Sequence, residues 1–188
     1  MTAEAALPKR ADAVRNRERV VAAAAAVFAE RGIEASVPEV AARAGVGKAT
    51  VYRSFPTKEH LVAAVVNDRL DEYERRAREL LESKDAWEAL HTLLSEKASE
   101  QCRDRSLASA LHAGIGADLL AEARRRMWGA IGELMDRAQA EGRMRPDASP
   151  EDLRVLWLGA TRVLSADGVG DPAEWRRYAG LVLDALRA

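Results

Sequence analysis

The residues with most to offer chemically lie close together, between positions 36 and 58. Lys48 and Arg53 can each donate to guanine O6 and N7, the commonest way to read a base in the major groove. Phosphate contact and free solvent are the plainer uses of the same two charges. Thr50 and Tyr52 carry hydroxyls, short-reach donors suited to a phosphate oxygen. A helix starting at Thr57 would leave free N–H groups there, with Lys58 beside them, and so offers an anion a place to bind. Elsewhere the reactive types do not assemble. Cys102 is the single cysteine and has no sequence neighbour to activate it, the three histidines lack metal-ligand spacing, and there is no glycine-rich phosphate loop. Asp and Glu are plentiful, but at solvated-face positions. No catalytic residue, metal or cofactor is expected, and a helical enzyme is the remote alternative.

The elements that must position these groups read as a helix-turn-helix over 37–56. Ser36 can cap the first helix with Glu39 three residues on, the capping-box spacing. Pro38 falls within the first turn, where its missing N–H has no intrahelical partner to lose. Ala41 lets a second helix approach, and Gly45 supplies the positive φ of a tight turn. Val40, Ala44, Val46 and Val51 form a small apolar seam. The second helix, about 48–55, then presents Lys48, Ala49, Tyr52 and Arg53 outward, as a recognition helix does. A generic helical hairpin is the alternative for this spacing alone.

The wider stretch 20–66 resembles the N-terminal domain of the TetR family of transcriptional regulators. The matching residues are Phe28-Ala29-Glu30-Arg31-Gly32, Ala44-Gly45-Val46, Thr50-Val51-Tyr52 and Phe55-Pro56-Thr57-Lys58. Ala49 stands where the family usually has Gly, and Ser54 where it has His. The resemblance implies that Thr50, Tyr52 and Lys58 hold the DNA backbone, with Ser36 contributing at the start of the preceding helix. It also implies a homodimer on a double-stranded palindromic operator, repression, and release by a small-molecule effector.

Composition agrees with an all-α chain of 188 residues, rich in Ala, Leu, Arg and Glu. Net charge is −1, but residues 1–60 hold ten Lys/Arg and seven Asp/Glu, so a mildly basic front precedes an acidic body. One cysteine, no membrane-length apolar run and no basic-then-apolar leader suit a cytoplasmic protein. The expected organisation is about nine helices. A flexible arm, 1–11, precedes a three-helix DNA-binding domain, 12–60, whose first helix (12–31) buries Val14, Val21, Ala24 and Phe28. A helical ligand-binding and dimerisation domain, 61–188, follows.

A helix from Thr57 to about Ser83 has no Gly or Pro, so it would act as a rod between the two domains, its apolar face fading along Leu61, Val65, Asp68, Glu72 and Arg76. A short helix over 106–113 is expected to end at Gly114-Ile115-Gly116. Behind the reader, Trp87, His91, Leu111, His112, Met127, Trp128 and Trp157 are the candidates to line a pocket for a largely apolar effector, although Trp and Met at helical spacing also serve as ordinary core. One reader makes too few contacts for selective binding, which points to a dimer on a two-fold related site. The last two helices carry apolar residues on more than one stripe, and Leu153, Leu156, Trp157, Ala160, Leu164, Tyr178, Val182 and Ala185 are the expected interface. A helical DNA-binding dimer without an effector is the alternative.

Overall fold

Eight α-helices and one 3₁₀ turn account for the regular structure of the computed structural model, which describes residues 7–104 and 115–188. The front unit is α1 (Leu7–Arg31), α2 (Val37–Ala44) and α3 (Lys48–Ser54). Helix α1 begins at Leu7, inside the stretch expected to be a flexible arm. Pro8 permits this, because an N–H in the first turn has no partner to lose. Val14 is 55% exposed, so it does not share the buried stripe of Val21, Ala24 and Phe28. Gly32 stops the helix with φ 80°.

Between α2 and α3 the chain turns at Gly45, whose φ of 64° and ψ of 38° are left-handed. The Val46 N–H reaches back to the Ala41 carbonyl at 3.1 Å, closing the end of α2. Arg19 of α1 donates to the Ala44 carbonyl at 2.7 Å and lies 3.4 Å from where a Cβ on Gly45 would sit, so the turn is pinned from outside as well. Val40, Ala41, Ala44 and Val51 are buried in the seam, whose small side chains let short helices approach closely.

Helix α4 (Lys58–Leu80) runs unbroken from the front unit into the body, packing on α1 at one end and on α5 (Ala86–Arg103) and α6 (Ala121–Ala140) further along. Its apolar face does not fade. It rotates, from Leu61 and Val65 to Val66, Leu70, Tyr73, Ala77 and Leu80, all buried. The 3.6-residue period explains this: a stripe that follows one neighbour must drift around the helix to meet the next. Arg126 of α6 bridges to Asp71 and Glu74 of α4, and Arg76 of α4 makes two 2.8 Å bonds to Glu96 of α5.

A 3₁₀ turn, Asp118–Leu120, leads into α6; the helix expected over 106–113 lies outside the described residues. Helices α7 (Pro150–Ala166) and α8 (Pro172–Asp184) close the chain, each with Pro in its first turn after a Ser149 or Asp171 cap. Helix α8 lies along α5, where Trp175 is 1% exposed and its indole N–H reaches the Val169 carbonyl at 2.9 Å. Burying a side chain of that size contributes about 3 kcal/mol when its polar end is satisfied.

Candidate nucleic-acid interface and cavity

The front surface is assembled by local rules. Ser36 caps α2 in an extended conformation; its N–H and its hydroxyl each donate to the Glu39 carboxylate at 2.7 Å. Those two bonds, with a further one from Arg31, hold the Glu39 carboxyl down to about 2. Arg43 makes a bidentate pair with Glu30 at 2.9 and 3.0 Å. Two of the acids of this unit are therefore engaged by α1–α2 pairs, while residues 48–58 contain Lys48, Arg53 and Lys58 and no acid.

Along α3 only Val51 is buried. Lys48, Ala49, Tyr52 and Arg53 are exposed, as the spacing predicts, and Thr50 is half-buried. The Lys48 ammonium lies 5.6 Å from the Tyr52 ring centroid, and Arg53 donates to the Thr50 hydroxyl at 3.4 Å. The face thus presents cations already lying beside the hydroxyl-bearing side chains. At the next helix start, Thr57 accepts from the His60 N–H at 3.3 Å, and its hydroxyl sits 2.8 Å from His60 Nδ1. An imidazole occupies the place a capping box gives to Glu, and the acid of this first turn, Glu59, accepts from the Gly116 N–H. Ser36 and Thr57 are exposed and Lys58 is half-buried. All seven expected contact residues sit on the surface of α2, α3 and the first turn of α4. Sequence reasoning missed Arg19, which shapes this surface from α1; His60, at the third position of α4, is where the sequence leaves the capping box incomplete.

Behind the reader a cavity of about 170 Å³ opens between α4, α5, α6 and α7. Its lining includes Met127, Trp128 and Trp157, three of the expected pocket residues, together with Tyr73, Lys97, Gln101, Arg124 and Leu158. A narrow apolar crevice bounded by Leu93, Leu94, Ile131 and Leu153 shares Tyr73, Lys97, Trp128 and Trp157 with it. Trp87 and His91 are not brought to this cavity. Trp87 is core under the Arg187 guanidinium, 5.1 Å above its ring, and the His91 ring lies against Gly180 where α5 meets α8. Leu111 and His112 lie outside the described residues.

Lys97 is the residue the sequence reading passed over. It is 7% exposed, with its ammonium 4.4 Å from the Tyr73 ring centroid, 5.6 Å from Trp128 and 5.9 Å from Trp157. Among the described residues its ammonium donates to the Met127 sulfur at 3.8 Å. Burial pulls its pKa down to about 8, opposed by the Glu100 charge. A signal was present: Leu90, Leu94, Lys97 and Gln101 follow helical spacing, which places a lysine on the buried stripe of α5.

The last two helices divide the expected interface. Leu153, Trp157, Leu164 and Val182 are buried within the protomer, whereas Leu156 is exposed, Ala160 and Tyr178 are half-buried, and Ala185 is exposed. The outward apolar face is instead Val155 (56% exposed), Leu156 (38%), Val163 (59%) and Leu181 (48%). Two apolar stripes on one helix are visible in a sequence; which of them turns inward is settled by packing. Among the described residues no helix is long and apolar enough to cross a membrane.

Comparison with known proteins places these features. The sequence model for bacterial regulatory proteins of the tetR family matches residues 20–65, and that for the C-terminal domain of SbtR-like transcriptional regulators matches residues 85–188. A TetR transcription regulatory protein from Mycobacterium vanbaalenii is 36% identical, the match covering 96% of this chain and 100% of that one, with a TM-score of 0.65. A TetR regulator from Streptomyces coelicolor is 31% identical over 91% and 98% of the two chains, with a TM-score of 0.64. FadR from Bacillus subtilis, solved with stearoyl-CoA, is 18% identical, covering 89% and 95%, with a TM-score of 0.72, a likeness of fold. Comparison with curated proteins gives no significant match.

Proposed function

The chain belongs to the TetR family of bacterial regulatory proteins, a transcription regulator and not an enzyme, and from that premise we propose a ligand-released repressor. Two copies bind a palindromic operator in the cytoplasm through α2, α3 and the first turn of α4. A small, largely apolar molecule filling the cavity lowers that affinity. Thr50, Tyr52, Thr57 and Lys58, with Ser36, hold phosphates; Lys48 and Arg53 face the bases. The dimer forms across the outward face of α7 and α8, where Leu156, Val163 and Leu181 of one protomer meet those of the other.

The observation that carries this reading is the continuity of α4. Thr57 caps it at the phosphate-binding end, and Leu70 and Tyr73 of the same helix line the cavity. Sixteen residues of helix separate Thr57 from Tyr73, about 24 Å of rod with no Gly or Pro to absorb movement. A second tie supports the coupling: the Gly116 N–H donates to Glu59 at 3.1 Å, and a Cβ on Gly116 would come within 2.9 Å of the Ala63 Cβ. The segment entering α6 is thus seated on the first turns of α4. Filling the cavity tilts the rod, and in a dimer the tilt changes the distance between readers. Major grooves on one face of the duplex recur about every 34–36 Å, so a few ångströms of misfit lose contacts in a half-site. FadR, whose fold is similar and which was solved with stearoyl-CoA, lends the ligand-bound body a precedent in architecture alone.

The test is reciprocity. A ligand found by thermal-shift screening is titrated calorimetrically against the free protein and against its operator complex. A coupling of roughly 1–3 kcal/mol weakens the ligand about 5- to 150-fold on DNA. Equal affinities in the two titrations would leave α5 to α8 as a dimerising body only.

A further inference from the structure

We propose that the cavity takes an amphipathic monocarboxylic acid, whose carboxylate pairs with Lys97 while its apolar body lies against Trp128, Trp157 and Leu158. This rests on reading the cavity as the effector site and narrows the effector's chemistry.

The charge balance of the walls is one-sided. Among the described residues Lys97, Arg124 and Arg154 line the cavity and no acid does. Arg154 is paired with Glu151 outside it, whereas Arg124 has no ion-pair partner among the described residues. Lys97 also has no carboxylate within ion-pair distance among the described residues. Glu100, one turn further along α5, is hydrogen-bonded to the Tyr73 phenol; it lines a polar groove with Arg69 and Arg103, and a second one that Lys97 also borders together with Glu72 and Glu96. Its charge reaches Lys97 only through space, and burial outweighs it.

A buried ammonium surrounded by three aromatic rings is stabilised by their faces but lacks the hydrogen-bond acceptors it has in water. A carboxylate entering the cavity would supply them. One further buried donor on the lining awaits a partner: the Trp157 indole N–H has none among the described residues, while the Gln101 side-chain oxygen, also unpartnered, needs a donor that a carboxylate does not bring. The indole can donate only, which again selects an acceptor on the ligand. Of the three lining cations Lys97 is the buried one, matching one negative charge, and a dianion would carry a second charge into an apolar cage at a desolvation cost. Size sets the rest. An engineered apolar cavity of about 150 Å³ holds benzene, so 170 Å³ suits one ring or a short alkyl chain beside the charged group.

The probes are benzoate, phenylacetate and hexanoate, each compared with its neutral amide: benzamide, phenylacetamide and hexanamide. Binding to the full-length dimer is followed by Trp fluorescence and calorimetry. At least one acid should bind about tenfold or more tighter than its amide, the size expected for a charge-assisted hydrogen bond. Lys97→Met, which leaves an unbranched side chain one atom shorter and removes its charge, should abolish the preference while the apolar contribution remains. A series in which no acid outbinds its amide overturns the proposal, and this comparison needs no variant. So does a preference that survives in folded Lys97→Met. Operator affinity, measured with and without the same probes, separates the two readings. Amides that bind as well as acids and still release DNA sink the carboxylate and keep the effector site. An acid that binds through Lys97 and leaves DNA affinity unchanged keeps the carboxylate and sinks the effector site.

Discussion

The front unit and the body of this molecule are built on different scales. The front is made of helices of seven or eight residues packed on α1, and its caps and turn are closed by neighbours within four residues, Ser36 by Glu39, Gly45 by Ala41 and Ala42, Thr57 by His60, with Arg19 and Glu30 of α1 bracing α2 from outside. The body is made of helices of 13 to 23 residues, and its special positions answer to residues far along the chain: Lys97 to Tyr73, Trp128 and Trp157, and Glu59 to Gly116. A DNA reader must present one fixed shape, which short-range caps and turns can specify. A ligand cavity needs groups converging from several helices, and a buried cation left without an acid is tolerable there because a ligand completes it.

The comparison can be broken most severely at the proposed dimer face. Leu156→Glu with Leu181→Glu places charges in the outward apolar face of α7 and α8 without touching the protomer core. Sedimentation should show a folded monomer, and operator affinity should fall on the order of 100-fold or more, because the second half-site is no longer bound at high effective concentration. A dimer that persists moves the interface elsewhere. Next in size is the reader itself. Tyr52→Ala with Lys58→Ala should weaken binding to every sequence on the order of 100-fold and reduce the salt dependence, while leaving the melting of the body unchanged.

The smallest effect sharpens the body's side of the contrast. Lys97→Met should raise stability near neutral pH by about 1–3 kcal/mol, since a buried charge is replaced by an apolar chain of similar length. The sign follows from protons. Burial lowers the pKa of Lys97 from 10.5 to about 8, so above pH 8 the native state sheds a proton that the unfolded chain keeps until about pH 10.5. The penalty is complete below pH 8 and relieved across that window. Thermal melts should therefore show the advantage of Lys97→Met shrinking between pH 8 and 10.5. An advantage constant with pH would show that Lys97 does not titrate as a buried amine.

The same difference of scale decided what could be read in advance. The helix-turn-helix, the Gly45 turn, the Thr57 cap and the Asp171-Pro172 start of α8 were all legible, because each is fixed by types and spacings within one turn of helix. What was hidden depends on a neighbour the sequence does not number. Leu153, Trp157, Leu164 and Val182 face the protomer's own core while Val155, Val163 and Leu181 face out, and both sets obey helical spacing. Trp128 and Trp157 stand 29 positions apart yet line one cavity. A lysine on an amphipathic helix ordinarily marks the solvated side, so Lys97 was passed over despite its register with Leu90 and Leu94. Val14 failed the other way, apolar and in register but exposed.

The central claim, a two-fold pair of readers built on α2 and α3, is tested most directly by selecting bound DNA from a random duplex pool with the full-length protein. The account predicts enrichment of a palindrome whose half-site centres lie one helical turn, about 34–36 Å, or a multiple of it apart, and no enrichment by the Tyr52→Ala, Lys58→Ala variant. Recovery of a single unpaired half-site, or of the same palindrome by that variant, would contradict it.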